Sequence, residues 1–210
     1  VSDNSIWGIW LNHITEADDA EERQIIERQK KWETENLAQQ SQTNPEYLSD
    51  MLNDMQYQAW EISNIMHSAL VVALWAKMEM ELKQLVDICA KALHIKGKSS
   101  SFKEVKDFFQ NNLNITLEQL QEYDKVHAVQ ILNNSFKHND GCYEPDVTKP
   151  YTQIDQSLLN AWRILRDNND IDYSALPFRV LISACNSFVN LLNQEIESQL
   201  VIFTQKDSSV

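Results

Sequence analysis

Apolar residues in this chain recur mostly at three- and four-residue steps, which is the spacing of one face of an α-helix. The longest such run extends from Pro45 to about Leu93, and no glycine or further proline interrupts it. It predicts either one helix or two helices joined near 56–62. Within it, residues 69–76 are apolar on all sides, which is typical of a central buried helix. The later runs predict four more helices, at about 101–112, 116–138, 153–167 and 174–203.

Local sequence signals mark several of the predicted helix ends. Serine, threonine and asparagine favour the position before a helix, proline favours its first position, and glycine favours the position after its end. The signals are Asn44 before Pro45, the capping pairs Ser101–Glu104 and Thr116–Gln119, and the stop Asn139-Asp140-Gly141.

The first 44 residues differ from the rest of the chain. Residues 6–11 form an apolar patch, which we expect to dock on the body of the protein or on a neighbouring subunit. Residues 15–40 predict a helix that is polar on most sides and therefore covers or protrudes from the core. The sequence thus predicts an N-terminal apolar segment and polar helix (1–44), a helical bundle (45–204) and a frayed tail (205–210).

The composition favours an all-α fold. The 210 residues include only 3 glycines and 4 prolines, so turns are few and long helices are favoured over many short strands. The longest apolar run is too short to cross a membrane, and the N-terminus lacks the pattern of a secretion signal. We therefore expect a cytoplasmic helical bundle with an N-terminal helical extension and no membrane partner.

The net charge and the reactive residues exclude several classes of function. A formal net charge of −13 repels phosphate groups, so RNA would bind only at a local site. The 5 histidines do not cluster, and the glycines are too few for a Walker loop or a dinucleotide fingerprint. Cys89, Cys142 and Cys185 show neither metal spacing nor a disulfide framework. We expect no metal and no cofactor, with Cys89 and Cys185 in the core and Cys142 in a loop.

The densest set of polar groups lies at the end of the helix predicted at 116–138, between Asn133 and Gly141. Asn133, Asn134, Lys137 and His138 fall in its last two turns, and Asn134 and His138 share a face because they are four residues apart. One interpretation is structural, with a histidine that closes a polar last turn. The other is a functional site.

A long helix that ends in Asn-x-x-x-His followed by Asn-Asp-Gly resembles the motif helix of the HEPN superfamily (higher eukaryotes and prokaryotes nucleotide-binding). The order of the elements is similar too. A central helix with Trp75 to Lys83 precedes a short serine-capped helix from Ser101, the motif helix and one or two closing helices, over residues 46–203. The resemblance implies a HEPN-like homodimer in which two motifs meet at the interface. Such a pair cleaves RNA without metal, with the ribose 2′-OH as the nucleophile.

The motif of that family is an arginine, then four to six residues, then a histidine, with a polar residue directly after the arginine. Here His138 matches the histidine and Asn134 the polar residue, but the arginine position falls on Asn133, and neither residue before it is an arginine. Asparagine donates hydrogen bonds but lacks the charge with which a guanidinium holds phosphate. A tyrosine that some members carry two residues after the histidine is Asp140 here.

Two functions follow from the resemblance. In the first, the protein is a catalytically degenerate homodimer that serves as an interaction, sensing or RNA-binding module, with a protein or locally bound RNA as its partner. The missing arginine and the acidic charge favour this function. In the second, it is a metal-independent endoribonuclease, such as a toxin or a phage-defence effector. His138 would then be the general acid or base, with Asn133, Asn134 and Lys137 as phosphate or ribose contacts. The arginines that would supply the missing cation lie on the closing helices: Arg163, Arg166 and Arg179.

Overall fold

The fold is described from a computed structural model of the chain. The described residues are 45–146, 148–149, 152–166 and 168–207, together with 16, 20, 23–24, 26–28 and 30–31. The apolar patch at 6–11, the predicted cap Asn44 and the last three residues lie outside this part of the chain. The described residues between 16 and 31 are all helical, in agreement with the helix predicted there.

Helices form almost all of the regular structure of the described residues, which contain two isolated β-bridges but no strand. This confirms the predicted all-α helical bundle. The elements are α1 (Pro45–Ala92), α2 (Phe102–Leu113), α3 (Tyr123–His138), α4 (Gln156–Trp162) and α5 (Phe178–Asp207), with short 3-10 turns at Leu117–Gln119 and Tyr173–Ala175.

The contacts of the chain divide it into two compact units, Val1–Ala69 and Leu70–Val210, and the division falls within α1. The predicted extension 1–44 stays a prediction, because most of it lies outside the described residues. Since α5 continues through Asp207, helix extends into the predicted tail 205–210. The predicted site belongs to the second unit, which the following paragraphs describe.

A single continuous helix forms α1, so the alternative of two helices joined near 56–62 is wrong. In the second unit its buried residues follow three- and four-residue steps, which leaves the opposite face exposed: Met80 is 53% exposed. The expectation that residues 69–76 are buried on all sides is therefore only partly met, because Ala76 lies on that exposed face. The buried residues are Leu70, Val71, Leu74, Trp75, Met78, Leu82, Val86, Cys89 and Ala90.

The start of α2 follows the predicted capping box. The Ser101 Oγ accepts a hydrogen bond from the Glu104 backbone N–H at 3.2 Å. The Glu104 carboxylate reaches back to the Ser100 backbone N–H at 2.9 Å, one residue earlier than in the standard box. Phe102 then packs edge-on against Trp75 of α1, with 5.3 Å between the ring centres. The cap thus fixes the start of α2, and the ring contact holds this start against α1.

The predicted helix 116–138 is two elements, which corrects the sequence interpretation. The Thr116 hydroxyl donates to the side chain of Gln110 and makes no cap hydrogen bond. A 3-10 turn follows, Glu122 adopts a positive φ of 70°, and α3 begins at Tyr123. The apolar pattern hides this break because Leu117, Leu120 and Tyr123 recur at three-residue steps, which are typical of one helix.

The closing helices differ in extent from the prediction: α4 is shorter, and α5 is shifted towards the C-terminus. Helix α4 covers Gln156–Trp162 instead of about 153–167. Helix α5 begins at Phe178 instead of Ser174, because Pro177 lacks an N–H and disfavours helical geometry in the residue before it. It packs against α2 and α3. The apolar pattern of 174–203 predicts an inner face of eight residues, of which Val189 and Leu200 are only partly buried. The other six are buried: Leu181, Ile182, Cys185, Phe188, Leu192 and Ile196.

Candidate binding groove and the polar end of α3

Helix α3 ends where the sequence predicts. The Ser135 carbonyl accepts hydrogen bonds from the backbone N–H groups of Asn139 (3.0 Å) and Gly141 (3.1 Å). Gly141 has a φ of +84°, in the left-handed region that favours glycine. The polar cluster 133–141 therefore consists of two helical turns and a glycine-dependent stop.

The loop after α3 is held by the segment that precedes α5. The Gly141 carbonyl accepts a hydrogen bond from the Ile171 N–H at 3.1 Å, and the Cys142 thiol donates to the Asp170 carboxylate at 3.2 Å. The buried Tyr173 hydroxyl donates to the Leu132 carbonyl at 3.0 Å. Burial raises the pKa of Tyr173 well above its ordinary value, so this hydroxyl stays a donor. These contacts fix the position of the last turns of α3.

The four predicted site residues lie in different environments. Asn134, Lys137 and His138 are exposed, whereas Asn133 is only 2% exposed. A residue this deeply buried does not touch a ligand from solvent, so the structure does not support Asn133 as a phosphate or ribose contact. Of the other three, only Asn134 lines the groove described below.

The carboxamide of Asn133 is coupled to that of Asn134. The Asn133 Nδ2 donates a hydrogen bond to the Asn134 Oδ1 at 3.1 Å, and the buried Asn133 Oδ1 has no hydrogen-bond partner. Rotating both amides would exchange donor and acceptor, but it would still leave one polar atom of Asn133 unsatisfied. A buried amide atom without a partner costs stability, and native proteins rarely keep one without a reason.

A groove of about 910 Å³ lies between α2 and α3. Its largely buried apolar floor consists of Phe102, Ile131 and Tyr143. Polar side chains of both helices and of the flanking loops form its walls. The wall residues with charged or carboxamide groups are Lys103, Lys106, Asp107, Gln110, Glu118, Gln130, Asn134, Asn139 and Glu144.

The cation nearest the centre of α2 is already neutralised. The Lys106 Nζ lies 2.8 Å from the Glu118 Oε1. Burial alone would lower the pKa of Lys106, but the hydrogen bonds and charges of Glu118 and Tyr123 outweigh it and raise the pKa. Burial would raise the pKa of Glu118, but the hydrogen bond and charge of Lys106, a backbone hydrogen bond and the charge of His127 together outweigh it and lower the pKa. The pair therefore stays ionised and offers no net charge to a ligand.

Three other charged groups of the groove remain available. Lys103, Asp107 and Glu144 form no ion pair with any residue that the structure describes. Two are carboxylates and one is an ammonium group, so the available charge of the groove is negative. This balance favours a ligand with a cationic group over a polyphosphate backbone.

The three candidate arginines lie elsewhere. Arg163 ends α4 in a left-handed conformation, and the Arg166 Nε lies 3.8 Å from the Asp172 Oδ2. Arg179 lines a smaller cavity of about 300 Å³ that also includes Lys125. None of the described residues that line the larger groove is an arginine.

Other chemistry receives little support. The described residues contain no group of three or more histidine, cysteine or acidic residues that could hold a metal ion. Cys89 and Cys185 are buried, as predicted, and burial raises the pKa of the Cys185 thiol to about 12. None of the helices within the described ranges combines the length and the apolar character needed to span a bilayer.

Sequence reasoning missed the part of the groove that α2 contributes. A signal was present, since Lys103, Lys106, Asp107 and Gln110 follow helical steps and together form a polar face of this short helix. Nothing in the sequence placed this face opposite Asn134. Glu144 reaches the groove from the loop after α3, and it had no sequence signal.

Comparison with protein-family models, with curated proteins and with solved structures finds no match for this chain.

Proposed function

We propose that this protein is a HEPN-like helical module that acts by binding a partner in the groove between α2 and α3 and does not cleave RNA. The resemblance to that superfamily rests on the order of the helices and on the Asn134–His138 spacing. The observation that carries the proposal is the different environment of each motif residue. Asn133 occupies the arginine position inside the core, Asn134 lines the groove, and His138 lies outside the residues that line it.

The charge of the groove supports binding of a partner other than RNA. Nucleic acids bind through phosphate contacts to lysine and arginine, and these contacts supply most of the affinity. Here one lysine is paired, one is available, and two carboxylates face the same groove. An RNA strand would bring more negative charge into a site that already carries a surplus of it.

The homodimer implied by the resemblance remains part of the proposal. Lys137 and His138 are both exposed in the last turn of α3, so they are accessible to a second copy of the chain. A molar mass of twice the chain mass in light scattering after size exclusion would support this arrangement, and a monomer at all accessible concentrations would oppose it.

The same exposure favours the second candidate function, a metal-independent endoribonuclease. A general acid or base must reach its substrate, and His138 is accessible where a buried histidine would not be. In that case the second copy would have to bring a cation next to His138, since no arginine is found there in the motif itself.

RNA cleavage separates the two functions. Purified protein is incubated with mixed RNA in the presence of a chelator, which silences metal-dependent nucleases. The wild type is compared with His138→Ala and with His94→Ala, a matched variant of another exposed histidine. We expect no difference among the three proteins. Cleavage by the wild type and His94→Ala that His138→Ala abolishes would refute the proposal and establish the endoribonuclease.

A further inference from the structure

A buried carboxamide beside the groove is energetically unfavourable where it stands. The Asn133 Oδ1 has no hydrogen-bond partner, and the residue is only 2% exposed. An apolar residue such as leucine, with the same branching, would avoid the unsatisfied atom. The side chain of Asn133 makes one hydrogen bond, to Asn134, and this bond therefore indicates the role of the amide.

That hydrogen bond sets the orientation of Asn134. Because the Asn134 Oδ1 accepts from the buried Asn133 Nδ2 at 3.1 Å, the two hydrogens of the Asn134 Nδ2 point elsewhere. Asn134 lines the groove, and its Nδ2 has no partner among the described residues. The pair thus presents an oriented amide group to whatever occupies the groove. This group is a donor in the orientation described and would be an acceptor if both amides were rotated.

The other available groups complete a recognisable pattern. The floor is apolar, through Ile131 and Tyr143. The carboxylates of Asp107 and Glu144 and the ammonium group of Lys103 are not ion-paired, so the available charge is negative by one unit. A ligand that matches these groups has an apolar side chain, a polar group that pairs with the Asn134 amide, and a cationic group. A protein segment with a lysine or arginine near an apolar residue has all three, since the peptide units carry both N–H donors and carbonyl acceptors.

We propose that the groove binds a basic, partly apolar segment of a partner protein, and that Asn133 is a positioning residue that aims the Asn134 amide at the backbone of this segment. The proposal rests on the proposed binding function and adds the class of partner. The buried, unsatisfied Asn133 amide is retained because it orients a binding group. In binding sites generally, residues that hydrogen-bond to a binding side chain fix its orientation.

The first experiment selects ligands from a displayed library of random peptides, with the intact protein as bait. We expect enriched peptides to share a basic residue next to an apolar one. Asn134→Ala should weaken their binding about tenfold, because one hydrogen bond to the peptide backbone is lost. Asp107→Lys should weaken it at least as much, because like charges then face each other. Asn190→Ala removes an exposed asparagine of α5 and should leave binding unchanged.

The positioning role of Asn133 is tested by measuring peptide affinity and unfolding temperature separately, because the loss of a purely structural residue would not weaken binding in a stable variant. Asn133→Leu should keep or raise the unfolding temperature and still weaken the selected peptides about threefold, because the Asn134 amide is then free to rotate. Asn133→Ala serves as the second variant, since it removes the amide without adding volume. Unchanged peptide binding in both variants would overturn the positioning role.

The remaining outcomes are equally decisive. Failure to enrich any peptide, enrichment of acidic peptides, or equal binding by wild type and Asn134→Ala would overturn the proposed partner. So would binding of a single-stranded RNA oligonucleotide that Asn134→Ala abolishes, measured by fluorescence anisotropy. None of these results depends on His138, so they are distinguishable from failure of the proposed function, which appears as His138-dependent RNA cleavage.

Discussion

Replacing Asn133 by leucine tests whether the buried amide destabilises the fold, as expected of a residue that is kept for its role in binding. Asn133 lies in the interior of α3 and is 2% exposed. Its Nδ2 donates to the Asn134 Oδ1 at 3.1 Å, while its Oδ1 has no partner. Leucine keeps the branching of the side chain, removes both polar atoms and leaves the Asn134 carboxamide exposed to water.

The expected change combines a gain and a loss. Removing a buried acceptor without a partner should stabilise the fold by about 1–3 kcal/mol, whereas losing the hydrogen bond to Asn134 should destabilise it by about 0.5–1.5 kcal/mol. Leucine also favours helix slightly more than asparagine does, while its larger methyl groups add some crowding. We expect the free energy of unfolding to rise by about 1 kcal/mol, or the midpoint temperature by about 2–4 °C.

Urea unfolding followed by helical circular dichroism measures this free energy by linear extrapolation. The matched control is Asn134→Leu, which breaks the same hydrogen bond from its exposed side. It leaves the buried Asn133 Nδ2 without an acceptor as well, so this variant should be less stable than the wild type by about 1 kcal/mol. A loss of stability in Asn133→Leu equal to that in the control would refute the reasoning, because the buried amide would then be satisfied in solution.

Four further predictions concern the supports of the site and the core. Tyr173→Phe removes the buried bond to the Leu132 carbonyl and should lower the free energy of unfolding by about 0.5–1.5 kcal/mol in urea titrations, without changing the helical signal. Gly141→Ala forces alanine to a φ of +84° and should destabilise by about 1–2 kcal/mol; a neutral result would show that the loop rearranges. Ser101→Ala removes the cap of α2 and should lose about 1 kcal/mol, whereas an unchanged urea midpoint would argue against the cap. Burial raises the pKa of Cys185 from 9.0 to about 12, so the folded state disfavours the thiolate. This contribution to stability is present below pH 9.0 and is lost as the pH rises towards 12, and Cys185→Ala should show a smaller decline over that window in the same titrations.

The sequence alone determined the fold class and some of the helix ends. Scarce glycine and proline, together with three- and four-residue apolar steps, predicted an all-α chain, and the described residues confirm it. The start at Pro45, the Ser101 cap and the stop at Gly141 were predicted for the same reason. Each of these signals acts through hydrogen bonds or backbone angles within a few residues, so it can be read without knowing the rest of the fold.

Only the tertiary structure decided which polar residues line the groove. Asn133 and Asn134 are identical in type and adjacent in sequence, but α3 turns one towards the core and the other into the groove. The break before Tyr123 and the approach of Lys103 and Asp107 to Asn134 were likewise invisible in the pattern. These features depend on which elements lie next to each other, and residues far apart in the chain become neighbours only when the helices pack.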